Sequence, residues 1–130
     1  MLNTMPELRW GRAVPLILAG AFALSATAAL AGGDAAAGKT IFESKCAVCH
    51  KTDASGGINL GDTTSADLQS PGLEKMYHQD DKLIKRAILK GIDEEGEQLD
   101  SVMPRWGQAG LTSAQADDII AFLKTVKTTK

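Results

Sequence analysis

The chain has two cysteines in 130 residues, Cys46 and Cys49, so no second cysteine pair exists to complete a zinc tetrahedron. Aromatic residues are almost as scarce. Trp10, Trp106, Tyr77 and three phenylalanines make up 5% of the chain, which leaves little aromatic packing for a core. Basic charge is not in excess either: 14 Lys and Arg stand against 16 Asp and Glu, and this balance lacks the basic surface that a nucleic-acid partner requires. No internal repeat and no strand-like alternation of apolar and polar residues is found, so the expected fold class is all-α with long connections.

What is present begins with a distinct N-terminus. Arg9 and Arg12 precede a charge-free run from Ala13 to Ala31, and Ala29-Leu30-Ala31 forms a small-x-small cleavage site ahead of Gly32-Gly33-Asp34. This is the pattern of a secretory signal peptide over residues 1–31, leaving 32–130 as one small mature domain. Trp10-Gly11 separates the arginines and no cysteine stands at the cleavage point, so neither a twin-arginine signal nor a lipid anchor is indicated. An uncleaved anchor is the competing reading, since the run is just long enough to cross a bilayer at about twenty residues. Its alanines, Pro15 and Gly20 make it only weakly hydrophobic. Both readings put the remainder outside the cytoplasm, and the expected location is periplasmic. Without the leader, 12 basic residues face 15 acidic ones, a formal net charge of −3.

Cys46-Ala47-Val48-Cys49-His50 carries the chemistry. Two thiols at this spacing can add across the vinyl groups of a porphyrin as thioethers, while the adjacent histidine turns its imidazole onto the iron, so the motif predicts one covalently attached haem c. A plain disulfide or a thioredoxin-like dithiol is the alternative. A site of that kind needs a strand before the motif and a βαβ frame around it, whereas the residues before Cys46 read as a helix. A bound haem would also supply much of the apolar core that the aromatics do not.

Along the rest of the chain, Asp34 to Lys45 is rich in helix formers and Asp34 is placed to cap them. Lys51 to Gln69, full of Gly, Asp, Ser and Thr with Ile58 and Leu60 as apolar anchors, reads as a loop wrapped around the cofactor. Ser70-Pro71 reads as an N-cap followed by proline at the first helical position, opening a short helix through Leu73, Met76 and Tyr77. A further helix starts at Asp80 or Asp81 and runs to Lys90, with Gly91 as its C-terminal cap. Its stripe of Leu83, Ile84, Ala87 and Ile88 faces inward, and Lys82, Lys85, Arg86 and Lys90 occupy the remaining surface. Asp93 to Asp100 is an acidic connection. The last helix begins at Thr112, with Gln115 completing a capping box, and buries Ile119, Ile120, Phe122, Leu123 and Val126.

His50 supplies one axial ligand, and Met76, His78 and Met103 compete for the other. Met76 and His78 fall in the short helix, where packing and a solvent-facing imidazole are the ordinary roles. Pro104 disfavours helical backbone at Met103, which lets that side chain turn inward, and the distance from His50 lets the chain pass around the haem to its other face. Met103 is therefore the expected second ligand, with His78 or an open site as alternatives. A soft thioether sulfur favours Fe(II) and raises the reduction potential.

These motifs together resemble the class I c-type cytochromes over nearly all of residues 33 to 127. Gly33 to Phe42 looks like the family's N-terminal helix, Cys46 to His50 like its haem motif, Met103-Pro104-Arg105-Trp106-Gly107 like its methionine loop, and Leu111 to Leu123 like its closing helix. The resemblance implies a small domain of several helices wrapped around one haem. Its terminal helices would pack together, Gly38 and Phe42 meeting Ile119 and Phe122. One departure is that no proline follows His50 within twenty residues, where many members use a proline carbonyl to hold the histidine ring; a carbonyl from Gly56 to Leu60 is the expected substitute.

The function implied is a monomeric one-electron carrier between redox protein partners, a dehydrogenase or reductase donor and a terminal oxidase or reductase acceptor. Cys46, Cys49, His50 and Met103 would form its cofactor site and no residue would be catalytic. Lys82, Lys85, Arg86 and Lys90, set against the acidic run from Asp93 to Asp100, could orient encounters or be an ordinary solvated face. The rivals are a haem subunit of a periplasmic dehydrogenase and an open-site haem enzyme or gas sensor.

Overall fold

The computed structural model describes residues 32–129. The leader and the two readings of it lie outside the described residues. Five helices follow in order among the described residues: α1 (Ala35–Lys45), α2 (Ala47–His50), α3 (Gly72–Met76), α4 (Asp81–Lys90) and α5 (Ser113–Leu123). Among the described residues there is no strand, only the isolated bridges Asn59–Thr64, Ser70–Lys127 and Ile92–Gln98, so the domain is all-α.

Local chemistry sets the ends of the longer helices. The Asp34 carboxylate accepts from the N–H groups of Ala36 and Ala37, and Asp80 accepts from Lys82 N–H. Thr112 and Gln115 form the reciprocal capping box at the start of α5. Gly91 ends α4 in the left-handed conformation at φ 65°.

The core is built where α1 crosses α5. Phe42 and Ile119 are almost fully buried, and the rings of Phe42 and Phe122 lie 5.3 Å apart at a tilted angle. Gly38 makes the approach possible, because a Cβ there would overlap the Asp118 carbonyl. Asp34 N–H also donates to Asp118 Oδ1 at 2.7 Å, tying the start of α1 to the partner helix. α4 packs on α5 through Ile84, Ala87 and Ile88.

Two local expectations give way to tertiary contacts. Ser70 does not cap α3, which begins at Gly72 without a side-chain cap. The C-terminal segment takes Ser70 instead: its N–H donates to Val126 O, its carbonyl accepts from Thr128 N–H, and its hydroxyl donates to Glu74 Oε1 at 2.8 Å. The cationic face of α4 is also partly consumed. Lys85 pairs with Asp117 at 2.6 Å and Arg86 donates to the Asp93 carbonyl, so both side chains tie α4 to neighbouring elements.

Candidate functional site

Cys46 closes α1 and Cys49 and His50 lie on the single turn of α2, so one short stretch presents both thiols and the imidazole to the same side. They line an apolar cavity of about 370 Å³ that is completed by Leu60, Leu68, Leu73, Tyr77, Ile84, Ile88, Met103, Pro104 and Trp106 from every other part of the domain. His50, Cys49, Cys46 and Met103, expected as one site, are thus brought to one cavity. Met76 and His78 do not line it. Met76 is 49% exposed, and His78 lies beyond the end of α3 rather than within it, exposed and at φ 57°.

The ring of His50 is oriented by an unexpected carbonyl. Nδ1 lies 2.9 Å from Ala66 O; since a carbonyl only accepts, Nδ1 carries the proton and donates, which leaves the Nε2 lone pair available for a metal. The expected substitutes from Gly56 to Leu60 do not make this bond. They build the platform behind it: Gly56 N–H donates to His50 O, Gly57 N–H to Ser65 O and Ser65 N–H to Ile58 O. Gly56 itself backs so closely onto the Ala66 carbonyl that a side chain there would collide with it. A carbonyl leaves no trace in residue identity, so only the course of the loop could single out residue 66.

Cys46 and Cys49 are not joined in a disulfide. Burial pushes the Cys46 thiol up to about 11, against a smaller opposing effect from Lys45. A reactive redox thiol is held below its ordinary value, and Cys46 is shifted the other way. The donor set fits haem: two thiols and an imidazole nitrogen oriented by its second nitrogen on one short stretch, and a thioether from a distant loop lining the same apolar cavity.

Two further residues that no motif signals, Tyr77 and Lys45, line the cavity, and Arg105 stands next to lining residues in sequence without lining it. Tyr77 is buried and lines the wall, its phenol pushed upward by burial and then by the negative charges of Glu94 and Asp93. Lys45 lies over the Trp106 ring, 5.4 Å from its centroid, joining the end of α1 to the loop after Met103. Arg105 folds back onto the loop that precedes it, donating to the Met103 and Leu99 carbonyls.

A family model described as cytochrome c matches residues 35–127. The chain is similar to a protein named cytochrome c6 from Rippkaea orientalis, with 32% identity over 106 residues that cover 78% of this chain and 79% of the relative. No solved structure matches it. The paired cysteines are consistent with the covalent haem attachment typical of the matched family.

Proposed function

The chain belongs to the cytochrome c family and is a one-electron carrier rather than a catalytic enzyme, and we propose that it works through a single haem c held by Cys46, Cys49, His50 and Met103. The observation that carries this reading is the meeting of an imidazole with a free Nε2 and a methionine thioether on one apolar cavity beside two unpaired cysteines. When bound, haem supplies an iron that gains or loses one electron.

The chain's own residues bind, orient and exclude water. Cys46 and Cys49 would hold the porphyrin edge as thioethers, His50 donates through Nδ1 to the Ala66 carbonyl and would offer Nε2, and Met103 would offer its sulfur from the loop after Asp100. Leu68, Leu73, Ile84, Ile88 and Leu123 keep the cavity wall dry. Were His50 Nε2 and the Met103 sulfur both to hold the iron, the chain's own atoms would leave no position open for a substrate, which favours transfer over ligand chemistry. Interaction with redox partners is typical of the family; a dehydrogenase or reductase as donor and an oxidase or reductase as acceptor, met by a monomer, complete the proposal. Residence in the periplasm is also typical, and here it is attributed to a leader over residues 1–31 removed after Ala31.

Met103→Ala tests the reading. Deleting the sulfur without adding a donor should lower the reduction potential and open the ferrous haem to CO, which the parent excludes. Met76→Leu and His78→Gln should keep the parent's low-spin spectrum. Retention of the parent spectrum and potential in Met103→Ala, with their loss in His78→Gln, would instead identify a bis-histidine carrier.

A further inference from the structure

Arg105 follows Met103-Pro104, and its guanidinium turns back over the loop that precedes it. Nη1 donates to the Met103 carbonyl at 2.7 Å and to the Asp100 carbonyl at 3.3 Å. Nη2 donates to the Leu99 carbonyl at 3.1 Å and to Gln98 Oε1 at 3.2 Å. Acceptors from residues 98, 99, 100 and 103 therefore converge on one planar cation.

The need for such a tie follows from the backbone. Pro104 has no N–H, so the peptide that links it to Met103 can be fastened only through the Met103 carbonyl. Upstream, Met103 N–H closes a turn onto Asp100 O at 3.0 Å, and Val102 N–H donates to Asp100 Oδ1. Downstream, Trp106 N–H donates to Ile88 O and Gly107 N–H to Leu89 O, pinning the chain to the end of α4. Met103 lies between these two pinned stretches, and Arg105 joins them.

The side chain reaches its acceptors across Gly91. A Cβ at residue 91 would collide with Cδ, Nε and Cζ of Arg105, so the glycine that ends α4 at φ 65° also leaves the slot in which the arginine lies.

We propose that Arg105 is the positioning residue for the Met103 thioether: seated on Gly91, it binds the carbonyls of Leu99, Asp100 and Met103 together and keeps the sulfur on the cavity wall. This role rests on Met103 being the distal ligand. A guanidinium suits it because its donors diverge in a rigid plane, whereas lysine carries its three donors on one nitrogen and cannot span the same acceptors.

The test uses the haem-loaded full chain in the ferric state with imidazole as probe. Imidazole reaches the iron only when the methionine sulfur leaves, so its apparent affinity reads the fraction of loop that is open. Removing charge-assisted hydrogen bonds to three carbonyls should raise that affinity on the order of 10- to 100-fold in Arg105→Ala, and by a smaller factor in Arg105→Lys. Gly91→Ala, which fills the slot, should give a similar rise, and the double variant should not exceed the larger single effect, as expected of residues acting through one contact. Ile119→Val, which weakens the α1–α5 core away from the loop, reports how far affinity moves on lost stability alone. An increase in Arg105→Ala no larger than in Ile119→Val overturns the proposal, and so do fully additive effects of the Arg105 and Gly91 substitutions. Should Arg105→Ala not yield folded holoprotein, Arg105→Lys and Gln98→Ala carry the same comparison. Met103→Ala separates the two layers of the argument. If it binds imidazole no better than the parent, the ligand assignment fails and the role of Arg105 with it; if it binds tightly while Arg105→Ala does not, the role of Arg105 alone fails.

Discussion

Replacing Gly38 with alanine asks the crossing of α1 and α5 for space it does not have. The new Cβ would overlap the Asp118 carbonyl, and that obstacle is main chain, which cannot rotate aside as a side chain would. The helices must separate. Overpacking typically costs 1–3 kcal/mol, and an immovable obstacle puts this case at about 3 kcal/mol. Separation also loosens Phe42 on Phe122, a ring pair at 5.3 Å whose geometry is worth about 1 kcal/mol. Against this, alanine is the better helix former by about 1 kcal/mol. The net loss is roughly 3 kcal/mol, a fall in Tm of roughly 12–24 °C for a domain of this size. Thermal unfolding of the haem-loaded protein, followed by helical circular dichroism, measures it. Gly72→Ala is the matched control, since nothing lies within 4 Å of a Cβ at that position on α3; its Tm should be unchanged or slightly higher. A Gly38→Ala protein as stable as the Gly72→Ala protein would refute the account of the crossing.

Covalent attachment predicts that acid-acetone extraction leaves the colour with the polypeptide, and that Cys46→Ser or Cys49→Ser sharply lowers holoprotein yield; haem passing into the organic layer from the parent would contradict it. Tyr77 predicts a pH effect. Its phenol is raised from 10.0 by burial and by Glu94 and Asp93, so above that pH the unfolded chain ionises while the folded one must stay neutral. Stability is therefore fully present below the unfolded value and lost as pH rises toward the folded one. Denaturant titrations across this range should show a shallower loss in Tyr77→Phe than in the parent, and equal slopes would remove Tyr77 as the cause.

The sequence by itself determined the helices and the chemistry that sits on neighbouring residues. Asp34, Asp80, the Thr112–Gln115 box and Gly91 act within a few residues of where they stand, so their caps are written in residue type and spacing. The same holds for Cys46, Cys49 and His50, which share a turn and need no distant partner to be recognised. Gly38 facing α5 was legible through the family resemblance. Only the tertiary structure decided which carbonyl orients His50, because Ala66 is selected by the path of a loop and every residue carries the same carbonyl. It also decided that Ser70 serves the C-terminal segment instead of capping α3, that Lys85 and Arg86 are spent on Asp117 and Asp93, and that Arg105 lies over Gly91. Each of these hydrogen bonds, ion pairs or contacts joins groups far apart along the chain or set by an irregular loop. Periodicity and propensity describe what a residue prefers; which distant group arrives to satisfy it is settled when the core closes.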